Sequence, residues 1–198
     1  MKLNWAERWV VNNPIRVAEQ HAQLKFLERA RPLAPGFTGL EIGCGRGVAA
    51  DIIMRRFAPA AMYATDLDPD MLKKAFTYLP SNRRAHIRFL AADGFSLPFK
   101  DNSMDDVFCF GVLHHIPDWR YALSEVARVL KDKGGFYFEE LFPRVYQNIV
   151  TKHILAHPET NRFQSEDLKG AMKDTGLSVI WSREMKNLAI LGVAVKNT

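Results

Sequence analysis

The stretch LEIGCGRG, residues 40–47, places three glycines at alternate positions behind an acidic residue, Glu41. Glycines this dense occur where a backbone turns sharply or lies close to another group. TGLEI, residues 38–42, has the length and composition of a short strand, and residues 48–57 have helical spacing. The glycines therefore form a turn that leads from a strand directly into a helix.

Segments of strand length and helix length alternate along the rest of the chain. Such alternation indicates parallel βαβ units and a doubly wound sheet. The last two strand-like segments are separated by only Lys186 and Asn187, too few residues for a crossover helix, so they must form an antiparallel hairpin. The sequence therefore predicts an α/β fold whose sheet is mostly parallel, with one reversed strand. The predicted strands are 38–42, 61–66, 86–93, 104–112, 136–141, 177–185 and 188–196, and the predicted helices are 48–57, 69–79, 119–130 and 165–176.

Short-range signals mark several boundaries. Asp68, Asp118 and Ser165 are the expected N-caps of the helices that follow them. Pro69 suits the first position of its helix. Lys-Gly-Gly at residues 133–135 predicts a turn before the fifth strand.

Two segments outside this alternation are expected to form walls of a substrate site. Residues 1–31 predict an N-terminal helical cap of one or two amphipathic helices, with a break near Asn13 and Pro14. Residues 143–163 predict a helical segment between the fifth strand and the last helix. We expect residues 1–198 to form one domain, with these segments beside its ligand site. The wall residues would include Trp5, Trp9, Tyr146, Ile149 and Ile154.

The composition is that of an ordinary globular domain. Of the 198 residues, 47% are apolar and 25% are charged, which suits one domain with its own core. No apolar run approaches the ~20 residues that a membrane helix needs, and the first residues do not form a secretory signal. Cys44 and Cys109 lie in predicted core elements and give no disulfide framework. We therefore expect a cytoplasmic protein without an integral membrane segment.

The chain carries a net charge of +5, and its basic residues occur in short clusters. Such clusters usually mark the solvated faces of helices, although they also suit an anionic partner such as RNA or a lipid surface. No nucleic-acid-binding motif accompanies them. We therefore expect a small-molecule ligand rather than a nucleic acid. The sequence leaves the oligomeric state open between a monomer and a dimer. The clusters are Arg55-Arg56, Lys73-Lys74 and Arg83-Arg84 with Arg88.

The place of the glycine turn limits what it can bind. In an open parallel sheet, ligands bind beyond the carboxyl ends of the strands, where helix N-termini offer free N–H groups. No Gly-Lys-Ser/Thr follows, which excludes a phosphate-binding P-loop, and the G-x-G-x-G spacing departs from the G-x-G-x-x-G of dinucleotide sites. A carboxylate at Glu41 would be unfavourable beside a pyrophosphate but favourable beside an ammonium or sulfonium group.

The glycine turn and four later segments resemble, in order and spacing, the motifs of class I S-adenosylmethionine (SAM) methyltransferases of the small-molecule, methyltransferase-11 type. The glycine turn resembles the first motif, DLDPDML the second and ADG the third. FGVLHHIPD contains the LHHIPD sequence of many members, and RVLKDKGG resembles the RVLKPGG turn with a change at its Asp-Lys pair. These segments are residues 41–47, 66–72, 92–94, 110–118 and 128–135.

The resemblance implies both a fold and a cofactor. The fold is a Rossmann-like, doubly wound seven-stranded sheet of order 3-2-1-4-5-7-6 with strand 7 antiparallel, which is consistent with the hairpin derived above. The cofactor is SAM, and its product is S-adenosylhomocysteine. SAM has no phosphate and carries an ammonium group and a cationic sulfur, in agreement with a carboxylate beside the glycine turn.

The resemblance also implies the cofactor site. Asp66 would hold the ribose, since a carboxylate can accept from both hydroxyls, and Asp68, as the helix cap, leaves it free to do so. Leu67 would pack on the adenine, and Asp93 would accept from its amine. Glu41 would fix the loop and face the amino group, and backbone carbonyls after strand four would receive that ammonium. The implied cofactor-binding residues are Glu41, Gly43, Cys44, Gly45, Gly47, Asp66, Leu67, Asp93, Gly94, Phe110 and Gly111.

Candidate catalytic residues follow strand four and end strand five. One of His114 and His115 is expected to order the loop, while the other faces the pocket, where it could act as a general base. Glu139 and Glu140 alternate along a strand, so one of them is expected to point to the core or the pocket. Two histidines four apart in the 143–163 segment have zinc spacing but no third ligand, so no metal is expected.

The resulting hypothesis is transfer of a methyl group from SAM to a small, partly apolar acceptor. Methyl transfer is a direct displacement that depends on alignment and desolvation, and only a poorly ionised acceptor needs a base. The accepting atom is therefore open among oxygen, nitrogen, carbon and a heteroatom such as arsenic. Two alternatives are a SAM-binding protein without transfer activity and a nicotinamide-dependent reductase on a similar sheet.

Overall fold

One seven-stranded sheet organises the chain in a computed structural model that describes residues 13–146 and 161–198. The strands are β1 Thr38–Ile42, β2 Ala61–Asp66, β3 Ile87–Ala91, β4 Met104–Phe110, β5 Leu130–Leu141, β6 Leu177–Met185 and β7 Ala189–Lys196. Their order is β3-β2-β1-β4-β5-β7-β6. Strands β1 to β5 run parallel, and β7 pairs antiparallel with both β5 and β6. The predicted α/β doubly wound sheet, its order and its reversed strand are confirmed.

Helices cover both faces of this sheet. They are α1 Pro14–Ala30, α2 Val48–Phe57, α3 Pro69–Tyr78, α4 Ser81–Arg84, α5 Trp119–Val129, α6 Pro143–Tyr146 and α7 Ser165–Asp174, and Leu113–His115 forms a single 3₁₀ turn. Residues of α1 and α2 form a core cluster on one face, and those of α5 and α7 form another on the opposite face. The central strand β4 serves both, since Val107 and Cys109 belong to one cluster and Phe108 and Phe110 to the other. Across the two described ranges, no helix is long and apolar enough to span a membrane.

Asp68 caps α3 as expected. Its Oδ1 accepts a hydrogen bond from the backbone N–H of Asp70 at 3.2 Å, and Pro69 is the first helical residue. Asp118 also occupies an N-cap position, that of α5, but its side chain makes no capping hydrogen bond. The position of this second cap was predicted correctly, and the bond was not.

The expected cap at Ser165 is wrong. Ser165 is the first residue of α7, and Gln164 is the N-cap in a capping box, in which its backbone N–H donates to Asp167 at 2.9 Å. Ser165 Oγ donates to Glu184 of β6 instead. A tertiary contact with the neighbouring strand therefore uses the hydroxyl that the local sequence assigned to capping.

Strand β5 begins earlier than the sequence predicted. Its pairing with β4 starts at Leu130, opposite Met104, and continues from Gly135, opposite Asp106. Lys133, between these two pairs, has a φ of +63°. The predicted turn is therefore present as an irregularity inside the strand, because Leu130 is already buried in the sheet.

Helix α1 begins at the predicted break. The side chain of Asn13 accepts a hydrogen bond from the backbone N–H of Arg16 at 3.0 Å, and Pro14 is the first helical residue. Leu24 and Leu27, further along the helix, are buried in the core. The core therefore anchors the later turns of α1, and its first turn lies at the carboxyl edge of the sheet.

Candidate functional site

The glycine turn after β1 adopts a backbone that glycine takes most readily. Gly43, Gly45 and Gly47 have φ values of +69°, +54° and +78°. A Cβ on Gly43 would lie 2.4 Å from Cγ2 of Val112, in the loop after β4, so this glycine also permits a close contact between two loops. The fold itself therefore requires these glycines, independently of any ligand.

A cavity of about 360 Å³ opens at the carboxyl ends of β1 to β5, beside the glycine turn. Open α/β sheets bind their ligands at this position. All of the expected cofactor-binding residues except Glu41 and Gly47 line the cavity. Of the four catalytic candidates, Glu140 does not line it. The expected residues on its wall are Gly43, Cys44, Gly45, Asp66, Leu67, Asp93, Gly94, Phe110, Gly111, His114, His115 and Glu139.

Glu41 lies beneath the glycine turn rather than on the cavity wall. Its side chain is buried, and Oε2 has no hydrogen-bond partner among the described residues. Burial raises the pKa of Glu41 to about 8; a hydrogen bond from the backbone of Ala50 opposes the rise, the charge of Asp66 adds to it, and Arg16 opposes it. A cation bound near the turn would favour the ionised form. This position suits the expected role of fixing the loop, and contact with a ligand amino group stays a prediction.

Asp66 lies at the end of β2. The expectation that Asp68, as the helix cap, leaves the Asp66 carboxylate free is wrong. Asp66 Oδ2 accepts from the backbone N–H of Gly45 at 2.8 Å, and its Oδ1 accepts from that of Asp68 at 2.9 Å. Burial raises the pKa of Asp66, while these two backbone bonds oppose the rise. Asp66 therefore ties the glycine turn to the end of β2, and each oxygen keeps a lone pair for a ligand hydroxyl.

A second carboxylate, Asp93, follows β3 in a tight turn. Its Oδ1 accepts from the backbone N–H of Phe95 at 3.3 Å, and its carbonyl accepts from Ser96 at 3.1 Å. A Cβ on the next residue, Gly94, would lie 3.0 Å from Cδ1 of Ile116. The turn therefore brings a carboxylate and an apolar side chain to the same part of the cavity.

The two neighbouring glutamates of β5 point to different places, as alternation along a strand requires. Glu139 lines the cavity, where its Oε2 accepts a 2.6 Å hydrogen bond from the guanidinium of Arg16. Glu140 is fully buried and accepts from Nδ1 of His114 at 2.8 Å. Both His114 and His115 line the cavity, and His114 is the histidine that is tied to the neighbouring strand.

Arg16 was not predicted from the sequence, although its guanidinium donates to Glu139 on the cavity wall. Its Nη2 also donates to the carbonyl of Phe110 at 3.4 Å, and its Nη1 donates to Glu19 at 3.0 Å. The signal in the sequence was an arginine in the first turn after the Asn13 cap. That signal is local, whereas the contact with β5 depends on how α1 crosses the sheet.

Several expected wall residues lie outside the described part of the chain, namely Trp5, Trp9, Ile149 and Ile154, as do the paired histidines His153 and His157. Tyr146 is described and lines the cavity as expected. Within residues 13–146 and 161–198, no group of three or more His, Cys, Asp or Glu side chains could hold a metal ion.

The residues of the cavity fit SAM. Carboxylates at the ends of β2 and β3 suit hydroxyl and amine donors, and the buried Glu41 oxygen suits a positive ligand. Arg16 suits a carboxylate, which SAM also carries. Leu67, 42% exposed on the wall, offers an apolar surface to a base. The glycine turn gives close backbone approach without a lysine for phosphate.

Comparison with known proteins agrees with this arrangement. A family model described as a methyltransferase domain matches residues 40–138, half of the 198-residue chain. The chain therefore belongs to the class I SAM-dependent methyltransferase family, whose cofactor is SAM. It is 35% identical over 126 residues to a fatty-acid O-methyltransferase of Mycolicibacterium smegmatis, covering 62% of this chain and 43% of that protein. The chain thus spans less than half the length of that relative.

Solved structures share the fold. A chain in the complex between the Haloferax volcanii Trm112 methyltransferase activator and a methyltransferase superposes with a TM-score of 0.78 at 21% identity, covering 98% of this chain and 95% of that one. Haemonchus contortus phosphoethanolamine N-methyltransferase 2, in complex with SAM, superposes with a TM-score of 0.77 at 19% identity, covering 90% of this chain and 53% of that one. At these identities the likeness concerns the fold.

Proposed function

We propose that this chain transfers a methyl group from SAM to a small, partly apolar acceptor. The observation that carries the proposal is one cavity into which the glycine turn, Asp66 and Asp93 all project. Family membership supports the donor, and the cavity supports where it binds.

In this proposal the ends of β1, β2 and β3 hold the adenosine part. Asp66 accepts from the ribose hydroxyls, Leu67 packs on the adenine and Asp93 accepts from the adenine amine. Arg16 pairs with the ligand carboxylate, and the carbonyl of Phe110 accepts from the ammonium. When bound, SAM supplies a methyl carbon attached to a cationic sulfur, which is an activated leaving group.

The acceptor would occupy the part of the cavity near β4, β5 and α6. Leu141, Val145 and Tyr146 line this part, together with Ile15 from the first turn of α1. Their apolar side chains favour an acceptor with an apolar body and exclude water from its reacting atom. We propose that the first turn of α1 caps this site, because Ile15 and Arg16 both reach it. The protein then contributes mainly alignment and desolvation.

A thermal-shift experiment tests the donor site. SAM and S-adenosylhomocysteine should raise the melting temperature of the wild-type protein, and NAD should not. Asp66→Ala should remove this rise, measured against the variant's own ligand-free value because two backbone hydrogen bonds are also lost. The matched control is Asp68→Ala, which loses the capping hydrogen bond to α3, worth about 1 kcal/mol, and should keep the rise.

The outcomes separate the alternatives. A rise with NAD in place of SAM would support a nicotinamide-dependent reductase. A full SAM-dependent rise in Asp66→Ala would remove Asp66 from the site. Binding of SAM without formation of S-adenosylhomocysteine from any acceptor in a broad panel would favour a SAM-binding protein without transferase activity.

A further inference from the structure

Glu140 sits in a buried pocket of hydrogen-bond donors. Its Oε1 accepts from the backbone N–H groups of Val112 and Leu113 at 3.1 and 2.9 Å. Its Oε2 accepts from the backbone N–H of His114 at 3.3 Å and lies 2.8 Å from Nδ1 of the same residue. Three backbone N–H donors around one fully buried side chain suit a carboxylate, which can only accept. Glu140 therefore fixes both the 3₁₀ turn and the histidine ring at its centre.

This contact sets the tautomer of His114. Because the carboxylate accepts, Nδ1 of the neutral imidazole must carry the proton, which makes Nε2 the basic nitrogen. The ring is also held in position by stacking on Tyr146, with centroids 5.4 Å apart and planes inclined by 17°. His115 lies beside it, with ring centroids 4.2 Å apart. A histidine oriented by a buried carboxylate is a recurrent arrangement for a general base.

Three polar groups converge where Gly111 leaves room. A Cβ built on Gly111 would lie 3.6 Å from Nη2 of Arg16, 3.7 Å from Oε2 of Glu139 and 3.8 Å from Cε1 of His114. All four residues line the cavity. The edge of the His114 ring is therefore close to the ion pair that bounds the proposed cofactor site.

The other titratable groups around His114 are less suited to accept a proton. Glu139 is held in an ion pair with Arg16 at 2.6 Å. Glu140 is enclosed by four donors and does not reach the cavity. Burial, with the nearby charge of Glu140, raises the pKa of Tyr146 to about 12, so its phenol stays protonated at neutral pH. Among the residues that the structure describes around this ring, His115 is the remaining alternative, and the variants below test it.

We propose that His114 is the general base of the transfer, that Glu140 is its positioning residue, and that the acceptor is a neutral hydroxyl compound with an apolar body. This inference rests on the proposed function. The acceptor oxygen gives its proton to Nε2 of His114 and forms a bond to the methyl carbon. The carbon–sulfur bond breaks with its electron pair on sulfur, which leaves S-adenosylhomocysteine as a neutral thioether. A carboxylate acceptor, already ionised at neutral pH, would need no such base.

Two probes with the same apolar body test the inference, 4-butylphenol and 4-butylbenzoate, each with saturating SAM. We expect the wild-type protein to methylate the phenol, with the methyl ether detected by mass spectrometry. His114→Asn should lower kcat for the phenol about a hundredfold at pH 7, with a smaller change in KM. The loss should shrink as the pH approaches the phenol's pKa of about 10, where solvent removes the proton.

Further variants test whether the loss of phenol methylation is specific to His114. His86→Asn, at an exposed histidine outside the cavity, should leave phenol methylation unchanged. Glu140→Gln should lower kcat for the phenol and make its pH profile resemble that of His114→Asn. A loss in His115→Asn with full activity in His114→Asn would overturn the assignment of the base. No phenol product, or methylation of the benzoate alone, would overturn the acceptor class.

A measurement without turnover covers the case in which Glu140→Gln fails to fold. Long-range ¹H–¹⁵N correlation spectra of the wild-type protein, with His114 assigned by its absence in His114→Asn, should show a protonated Nδ1 and an unprotonated Nε2. The opposite tautomer would overturn the role of Glu140. A SAM-dependent thermal shift measured on the same samples distinguishes this inference from the proposed function. If the shift is present, a negative result contradicts only the assigned base and acceptor. If the shift is absent, the proposed function itself is contradicted.

Discussion

The ends of β1 to β3 and the ends of β4 and β5 line one cavity but are built differently. In the first, which we name the cofactor region (residues 41–47, 66–67 and 93–94), carboxylates bond to backbone N–H groups and glycines take left-handed conformations. In the second, the acceptor region (residues 110–116 and 139–141), two buried carboxylates hold an arginine and a histidine. The cofactor region is therefore defined by backbone shape, and the acceptor region by side-chain chemistry.

Among the substitutions considered, the one at Gly43 is expected to lower the free energy of unfolding most. Gly43→Ala should lower the free energy of unfolding by about 3 kcal/mol, because a Cβ would meet Val112 at 2.4 Å in a left-handed backbone. Urea unfolding measures the change. Gly170→Ala is the matched control, since its Cβ would meet nothing within 4 Å at an exposed position of α7, and it should be neutral or stabilising by up to about 1 kcal/mol. A loss below about 1 kcal/mol at Gly43 would mean that backbone shape does not define the cofactor region.

Substitution of the two glutamates of β5 should lower the free energy of unfolding by different amounts, which distinguishes their roles within the acceptor region. Glu140→Gln places an amide NH₂ among four donors, so the free energy of unfolding should fall by about 2 kcal/mol. Glu139→Gln should cost less, about 1 kcal/mol, because an amide oxygen can still accept from Arg16 and Arg16 keeps Glu19 as a carboxylate partner. Chemical denaturation of both variants gives the comparison. Equal losses would show that Glu140 is not the anchor of the turn after β4.

A pH-dependent effect on stability concerns Glu41, which lies under the glycine turn. Its pKa is raised from 4.5 to about 8 in the folded protein, so the folded state holds a proton that the unfolded state has released. The free energy of unfolding should therefore fall as pH rises from about 5 to about 8, with a slope from this group of about 1.4 kcal/mol per pH unit. In Glu41→Gln the free energy of unfolding should lack this contribution to the slope between about pH 5 and about pH 8. Parallel pH curves for the two proteins would contradict the buried, protonated state.

Much of the fold and of the cofactor region could be predicted from the sequence. Glycine spacing, strand-helix alternation and a two-residue hairpin connection are local consequences of backbone geometry, and they predicted a mostly parallel sheet with one reversed strand. The strand order was implied by the family resemblance and is also confirmed. Asp66 and Asp93 were predicted from the resemblance to methyltransferase motifs, and both line the cavity at the edge where the carboxyl ends of the parallel strands meet.

The acceptor region could be predicted only as a set of candidates. Arg16 meets Glu139 across 123 residues of sequence, and which of Glu139 and Glu140 faces the cavity depends on the register of β5 in the sheet. The same limit explains Ser165, whose hydroxyl bonds to β6 rather than capping its own helix. Tertiary contacts of this kind leave no periodic or spacing signal in the chain.

The central claim is that the acidic ends of β2 and β3 hold an adenosine whose methionine part lies against the glycine turn. The most direct test is a crystal structure of the protein grown with S-adenosylhomocysteine. We expect both ribose hydroxyls within hydrogen-bond distance of the Asp66 carboxylate and the adenine beside Leu67 and Asp93. A ribose bound elsewhere, with Asp66 still satisfied only by the backbone of Gly45 and Asp68, would contradict the account.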